Sequence, residues 1–186
     1  PLQQLGAQRA GTVDDIVNAD DIDVVHICTP NSMHRDQSLA ALAAGKHVVC
    51  EKPLATNVED AAMLVAAAER AGTVAAVPFA YRFYAMVREA RSKIADTGVW
   101  LVHGGYLQDN MAKADPTGWR SDPAQSGLSQ TFADIGSHWC DTMEFVTGHR
   151  IISVCAAQGS APRPTERPDD GAVVAFRTDR GAIGSV

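Results

Sequence analysis

The sequence predicts an α/β chain that opens on a parallel sheet and continues into a second, α+β unit. Two observations carry this. Up to Pro78, short apolar runs alternate with amphipathic stretches, the pattern of parallel strands joined by helical crossovers. After Pro78 the order becomes helix, strand, long polar loop, helix and then strands with a hairpin signal. The predicted division is residues 1–80 and 81–186.

Taken in order, Thr12 reads as the N-cap of a short helix with Asp14 and Asp15 in its first turn. Residues 23–28 form an apolar run of strand length, stopped by Thr29-Pro30-Asn31. Ser32 is the candidate cap of a helix ending at Gly45. Residues 47–50 form the next strand. Asn57 caps a helix with Ala61, Leu64, Val65 and Ala68 at helical spacing, closed by Gly72. Residues 73–77 are a third strand, ended by Pro78.

In the second part, residues 81–94 read as one helix and 99–108 as a strand in which His103, Gly105 and Leu107 alternate with Val102, Gly104 and Tyr106. Residues 110–130 read as a long polar loop containing Pro116 and Trp119, of a length that is usually functional or disordered. Residues 132–147 form a helix and 151–157 a strand. Residues 159–171, with Pro162, Pro164, Pro168 and Asp169-Asp170, read as a surface loop. Thr178-Asp179-Arg180-Gly181 is a hairpin turn between two strands.

Composition narrows the function classes. The 186 residues are 46% hydrophobic and 20% charged, with a net charge of −6, ordinary for a globular protein and contrary to nucleic acid as main partner. No apolar run approaches the ~18 residues of a membrane span, and no signal peptide is visible. The four cysteines lack CxxC spacing, so the reading is a reducing cytoplasm without disulfides, with Cys28 and Cys50 as buried strand thiols.

Two stretches carry chemistry. Val48-Val49-Cys50 runs into Glu51-Lys52-Pro53, an acid, a base and a proline that a buried strand rejects. The end of a parallel strand is where open α/β sheets bind ligands, and a lysine there can act on a ligand hydroxyl. A solvated turn accounts for it equally. On the predicted helix 132–147, Asp134, His138 and Asp141 fall within about 60° of one another at ~100° per residue. Ile135, Trp139, Met143 and Val146 form a neighbouring apolar face. The acid–His–acid stripe is a cavity wall with a carboxylate orienting the imidazole, an exposed i,i+4 pair, or a metal site. The last lacks a His-x-x-x-His or a Cys pair, and no metal is assigned.

These stretches carry a resemblance. Residues 22–31 with His34, then Ala44-Gly45-Lys46-His47-Val48-Val49-Cys50-Glu51-Lys52-Pro53-Leu54, resemble the glucose–fructose oxidoreductase/inositol dehydrogenase (Gfo/Idh/MocA) family. Asp134-Ile135-Gly136-Ser137-His138-Trp139-Cys140-Asp141 resembles that family's second signature. The resemblance implies a partial Rossmann doubly wound parallel sheet followed by an α+β domain with a mostly antiparallel open sheet. It implies NAD or NADP as cofactor, a sugar, polyol or inositol-like substrate, and a homodimer or homotetramer. By the same resemblance Thr29, Pro30, Asn31, His34, Glu51, Lys52, Pro53, Arg82, Trp119 and Arg120 face the cofactor. Tyr106, Gln108, Asp109, Asp134 and His138 face the substrate, and Lys52, Asp134 and His138 are catalytic, with either Lys52 or His138 as proton acceptor. The Lys52–Pro53 bond is a candidate cis peptide.

The family's glycine-rich first unit and second strand have no counterpart in these residues, and the chain starts at Pro1. The expectation is a part of a longer protein, with the NAD or NADP choice left open. The resemblance also admits an NAD-dependent glycoside hydrolase and a non-catalytic remnant.

Overall fold

The structure, a computed structural model, describes residues 4, 6–95, 97–109, 118–160 and 169–186. It divides into two units, Pro1–Pro78 and Phe79–Val186.

In the first unit, α1 (Val13–Val17) opens on a reciprocal capping box. Asp15 donates its N–H to the Thr12 hydroxyl, and the Asp15 carboxylate accepts from the Thr12 N–H. Strands β1 (Val24–Ile27), β2 (His47–Cys50) and β3 (Ala75–Ala76) form a parallel sheet in that order. The third strand is shorter than predicted. Its two alanines are exposed, bury little area, and the Val74 N–H goes to Nδ1 of His47 (2.9 Å).

Ser32 does not cap the following helix. Residues Asn31–Met33 form a 3₁₀ turn, with Met33 N–H donating to the Pro30 carbonyl (2.9 Å), and α2 (His34–Ala43) grows from it. Gly45, at φ +71°, ends α2 as predicted. The next helix, α3 (Val58–Ala71), starts where the Asn57 side chain accepts the Asp60 N–H (2.8 Å) and stops at Gly72, φ +66°. Asn57→Ala removes that acceptor and should cost about 1 kcal/mol in chemical denaturation; an unchanged midpoint would refute the cap.

The core of this unit joins Val17, Ile27, Ala41, Leu42, Val48 and Cys50, with Ala67, Ala68 and Ala71 of α3 packed on it. Val65, expected on the apolar face, is 52% exposed; Leu64 is the residue α3 buries. Cys28 lies one residue past β1 and is exposed, against the expectation of a buried thiol, whereas Cys50 is buried. Burial pushes the thiols of Cys50 and Cys140 up. A small alkylating reagent should therefore modify Cys28 and Cys155 first, as read by peptide mass spectrometry; early modification of Cys50 would contradict this core.

The second unit begins with a 3₁₀ turn, Ala80–Phe83, and α4 (Ala85–Ile94). The single predicted helix is broken at Tyr84, which is extended (φ −70°, ψ 132°) and accepts at its carbonyl from Val87 and Arg88. Strand β4 (Leu101–His103) is shorter than predicted. The predicted alternation nevertheless continues to Leu107: Val102, Gly104 and Tyr106 are half-buried, and Leu101, His103, Gly105 and Leu107 are exposed.

Residues 110–117 of the predicted loop, with Pro116, lie outside the described residues. Its described remainder is not featureless. It holds a 3₁₀ turn, Trp119–Ser121, and α5 (Pro123–Ser126), which Asp122 caps by accepting from Ala124 N–H (2.9 Å). The predicted helix 132–147 is a π turn, Phe132–Gly136, followed by α6 (Ser137–Thr147). Residues 161–168, with Pro162, Pro164 and Pro168, lie outside the described residues.

Strands β5 (Ile151–Gly159), β6 (Gly171–Thr178) and β7 (Ile183–Ser185) complete a sheet in the order β4-β7-β6-β5, antiparallel except where β4 meets β7. The predicted hairpin closes through Thr178 N–H to the Ala182 carbonyl (2.9 Å), with Gly181 at φ +85°. Among the described residues, no helix is long and apolar enough to cross a membrane.

Candidate active site

The carboxyl end of the parallel sheet is shaped by where its ladder stops. The last β1–β2 pair is Ile27 with Cys50, and Glu51 N–H still reaches the Ile27 carbonyl (2.9 Å). Past this point Pro30 and Pro53 supply no N–H, so the two chain ends separate. Thr29, Pro30, Glu51, Lys52 and Pro53 are all half-buried there. The Lys52–Pro53 peptide is cis. Glu51 turns its carboxylate back to accept from the Lys52 N–H (3.2 Å). Thr29 donates its hydroxyl to Oε1 of Gln37 on α2 (2.7 Å).

His34 has a different place from the one anticipated. It is 0% exposed, so its ring lines no cleft. Nδ1 lies 2.8 Å from the Pro53 carbonyl oxygen and Nε2 3.0 Å from that of Thr29. Both carbonyls lie beyond the ladder, and a buried carbonyl needs a partner. Asn31 is also buried, in the first position of the 3₁₀ turn.

In the second unit the signature helix is held by its apolar side. Trp139 stands edge-to-face on Phe176 of β6 (centroids 5.8 Å apart). A Cβ at Gly104 would come within 2.7 Å of Trp139 Nε1, so glycine permits the approach. The His138 ring meets Tyr81 edge-on (5.0 Å, 70°) and Phe79 (5.9 Å, 87°). The hydroxyls of Tyr81 and Tyr106 are 2.6 Å apart. His138 is thus walled by aromatic groups, one edge of which carries a phenol pair.

The predicted acid–His–acid stripe spans two kinds of turn. Asp134 sits inside the π turn, where Ser137 N–H reaches back five residues to the Phe132 carbonyl. That wider turn stands where an α-helical one was predicted. Gly136 allows it to close, since a Cβ there would meet the Phe132 ring at 2.5 Å. Asp141 turns to Arg82, accepting from Nε at 2.9 and 3.1 Å and also from Nη2. The paired carboxylate holds the Arg82 guanidinium above its ordinary range. Arg82, anticipated at the cofactor, is therefore engaged within its own unit. The Arg120 guanidinium lies 4.4 Å from the centre of its neighbour Trp119. Gln108 and Asp109 are exposed just past β4, and Tyr106 is half-buried. Among the described residues, no group of three His, Cys, Asp or Glu could hold a metal ion.

Sequence reasoning missed one carboxylate altogether. Asp169, placed in a surface loop, is 3% exposed. It accepts from Gln130 N–H (2.9 Å), Thr131 N–H (3.2 Å) and the Ser129 hydroxyl (3.2 Å), directly ahead of the π turn. Gln130 in turn donates from its side chain to the Arg120 carbonyl. One buried acid so ties the Trp119–Arg120 turn to the start of the helix bearing Asp134 and His138. Its Pro-rich surroundings offered no periodicity to reveal it.

A parallel sheet whose strand ends present Thr-Pro-Asn and Glu-Lys-Pro, followed by an α+β unit, defines a Rossmann-type α/β protein. Residues 2–79 match the model described as "Oxidoreductase family, NAD-binding Rossmann fold", and residues 88–186 that of the "GFO/IDH/MocA C-terminal domain". The chain belongs to the Gfo/Idh/MocA family. It is 35% identical to a 1,5-anhydro-D-fructose reductase of Ensifer adhaerens, over 92% of this chain and 52% of that protein. An oxidoreductase domain protein from Kribbella flavida superposes with a TM-score of 0.86 at 36% identity, covering 94% of this chain and 50% of that one. A levoglucosan dehydrogenase in complex with NADH and levoglucosan gives 0.83 at 30%, covering 99% and 52%. The chain spans about half the length of the relatives it matches.

Proposed function

We propose that the protein is an oxidoreductase transferring a hydride between a sugar, polyol or inositol-like hydroxyl and NAD or NADP. The observation that carries this is the half-buried Glu51-Lys52-Pro53 segment at the carboxyl edge of a parallel sheet. That edge is where doubly wound folds bind dinucleotides, and family membership and the relatives' names point the same way.

The residues present fit the cofactor's nicotinamide and ribose side: a hydroxyl, two prolines, a carboxylate and a lysine flank one crevice in the first unit. Thr29, Pro30, Asn31, Glu51 and Pro53 would line it, and Arg82, Trp119 and Arg120 are the further candidate cofactor residues. The nicotinamide, when bound, supplies the hydride acceptor. His138 takes the hydroxyl proton as the carbinol C–H bond breaks, and its aromatic walls keep water from it. Lys52 faces the oxygen as negative charge grows on it. Asp134 orients the substrate or the imidazole, and Tyr106, Gln108 and Asp109 contact the substrate. Residues 1–80 serve the dinucleotide, and residues 81–186 the substrate and oligomerisation.

The same reading makes the protein a cytoplasmic homodimer or homotetramer. The exposed Leu101, Val173 and Ile183 on one face of the second sheet support an assembly surface. Native mass spectrometry followed by a panel of sugars and polyols tests the reading. A bound dinucleotide with net NAD(P)H formation supports it, and turnover without net NAD(P)H release, or no dinucleotide binding, refutes it.

A further inference from the structure

We propose that His34 is a positioning residue that sets the backbone of Lys52 by holding the main chains on both sides of the strand-end crevice at once. His34 is the first residue of α2 and 0% exposed. One ring nitrogen meets the Pro53 carbonyl at 2.8 Å and the other the Thr29 carbonyl at 3.0 Å. These carbonyls belong to different chain ends, each past the last ladder pair of Ile27 and Cys50. With Pro30 and Pro53 unable to donate, no further backbone rung can link them. Carrying a proton on each ring nitrogen, the imidazole donates to both carbonyls and stands in for that rung. A planar ring has two rotatable bonds and one fixed distance between its nitrogens, so it sets the spacing of the two ends. Pro53 directly follows Lys52 and its ring locks φ, so holding the Pro53 carbonyl restrains the point from which the Lys52 side chain departs. Thr29 is held twice, at its carbonyl by His34 and at its hydroxyl by Gln37, and both holders lie on α2. Helix α2 is thereby the frame for the crevice, and His34 its link to Lys52.

This rests on the reading of Lys52 as the residue facing the reacting oxygen. The test therefore has one readout that depends on that reading and one that does not. His34→Phe keeps an aromatic ring of similar shape but offers no N–H. His34→Gln keeps a donor nitrogen with two N–H bonds. Both are made in the protein carrying this chain.

The first readout is the rate at which an amine-reactive reagent labels Lys52 relative to Lys93, which lies on α4 in the other unit. His34→Phe should change that ratio severalfold, and His34→Gln should leave it close to the original. The second is steady-state kinetics on whichever sugar or polyol the unmodified protein turns over. His34→Phe should lower kcat by about tenfold or more, the scale of a small misplacement of a reacting group, and His34→Gln should recover most of it. If His34→Phe does not fold, His34→Asn replaces it, because its shorter amide cannot span both carbonyls.

An unchanged labelling ratio in the donor-less or shortened variant overturns the proposal. So does equal impairment of His34→Phe and His34→Gln, which would mark packing alone. A changed ratio, restored by glutamine, with Lys52→Met turning over normally, would support the positioning role of His34 while refuting the role assigned to Lys52.

Discussion

Replacing Lys52 with methionine should lower kcat by about 10²–10³-fold, the usual loss when one group facing a developing oxyanion is removed. Methionine keeps the unbranched apolar stem and deletes only the ammonium. The fold should not notice, because Lys52 lies past the last rung of β2 and outside the cluster of Ile27, Val48, Cys50 and their neighbours. The expected result is therefore a split: turnover collapses while the circular dichroism spectrum and melting temperature stay near those of the unmodified protein. Steady-state kinetics with a thermal melt decide it. Near-normal kcat would sink the assignment, and parallel loss of activity and structure would show that Lys52 supports the fold instead.

Asp169→Ala should cause the largest loss of stability, about 2–4 kcal/mol. The carboxylate is 3% exposed and accepts two backbone N–H groups and one hydroxyl. Bonds to a charged acceptor are each worth more than neutral ones, and alanine leaves the Gln130 and Thr131 N–H groups without that partner at the start of a helix. In a domain of this size such a change lowers Tm by roughly 10 °C or more. Asp169→Asn keeps one acceptor oxygen and should lose less. A thermal melt of both variants reads the effect, and a Tm within about 2 °C of the parent for Asp169→Ala would refute the anchoring role.

Much of the backbone was legible because its signals are local. The Thr12 and Asn57 caps, the left-handed stops at Gly45 and Gly72 and the Gly181 hairpin turn each need only a few neighbouring residues. The alternation from Leu101 to Leu107 persisted beyond the end of β4 because burial on one side continues there. Local signals misled where two short-range solutions compete. Ser32 was a plausible cap, but the turn from Pro30 to Met33 closes through the backbone. Residues 132–147 read as one unbroken helix, and the close contact of Gly136 with Phe132 accompanies a π turn at its start instead.

By itself the sequence determined the alternating strand and helix order of the first unit, the α+β character of the second, and the two signatures that mark the family. Periodicity, caps and turn residues encode these within a few positions. Only the tertiary structure decided which polar side chains serve the fold. His34 meets a carbonyl 19 residues away, Asp169 an N–H 39 residues away, and Arg82 a carboxylate 59 residues away. Such pairings leave no periodic trace, because what selects them is a buried polar group's need for a partner wherever the folded chain brings one.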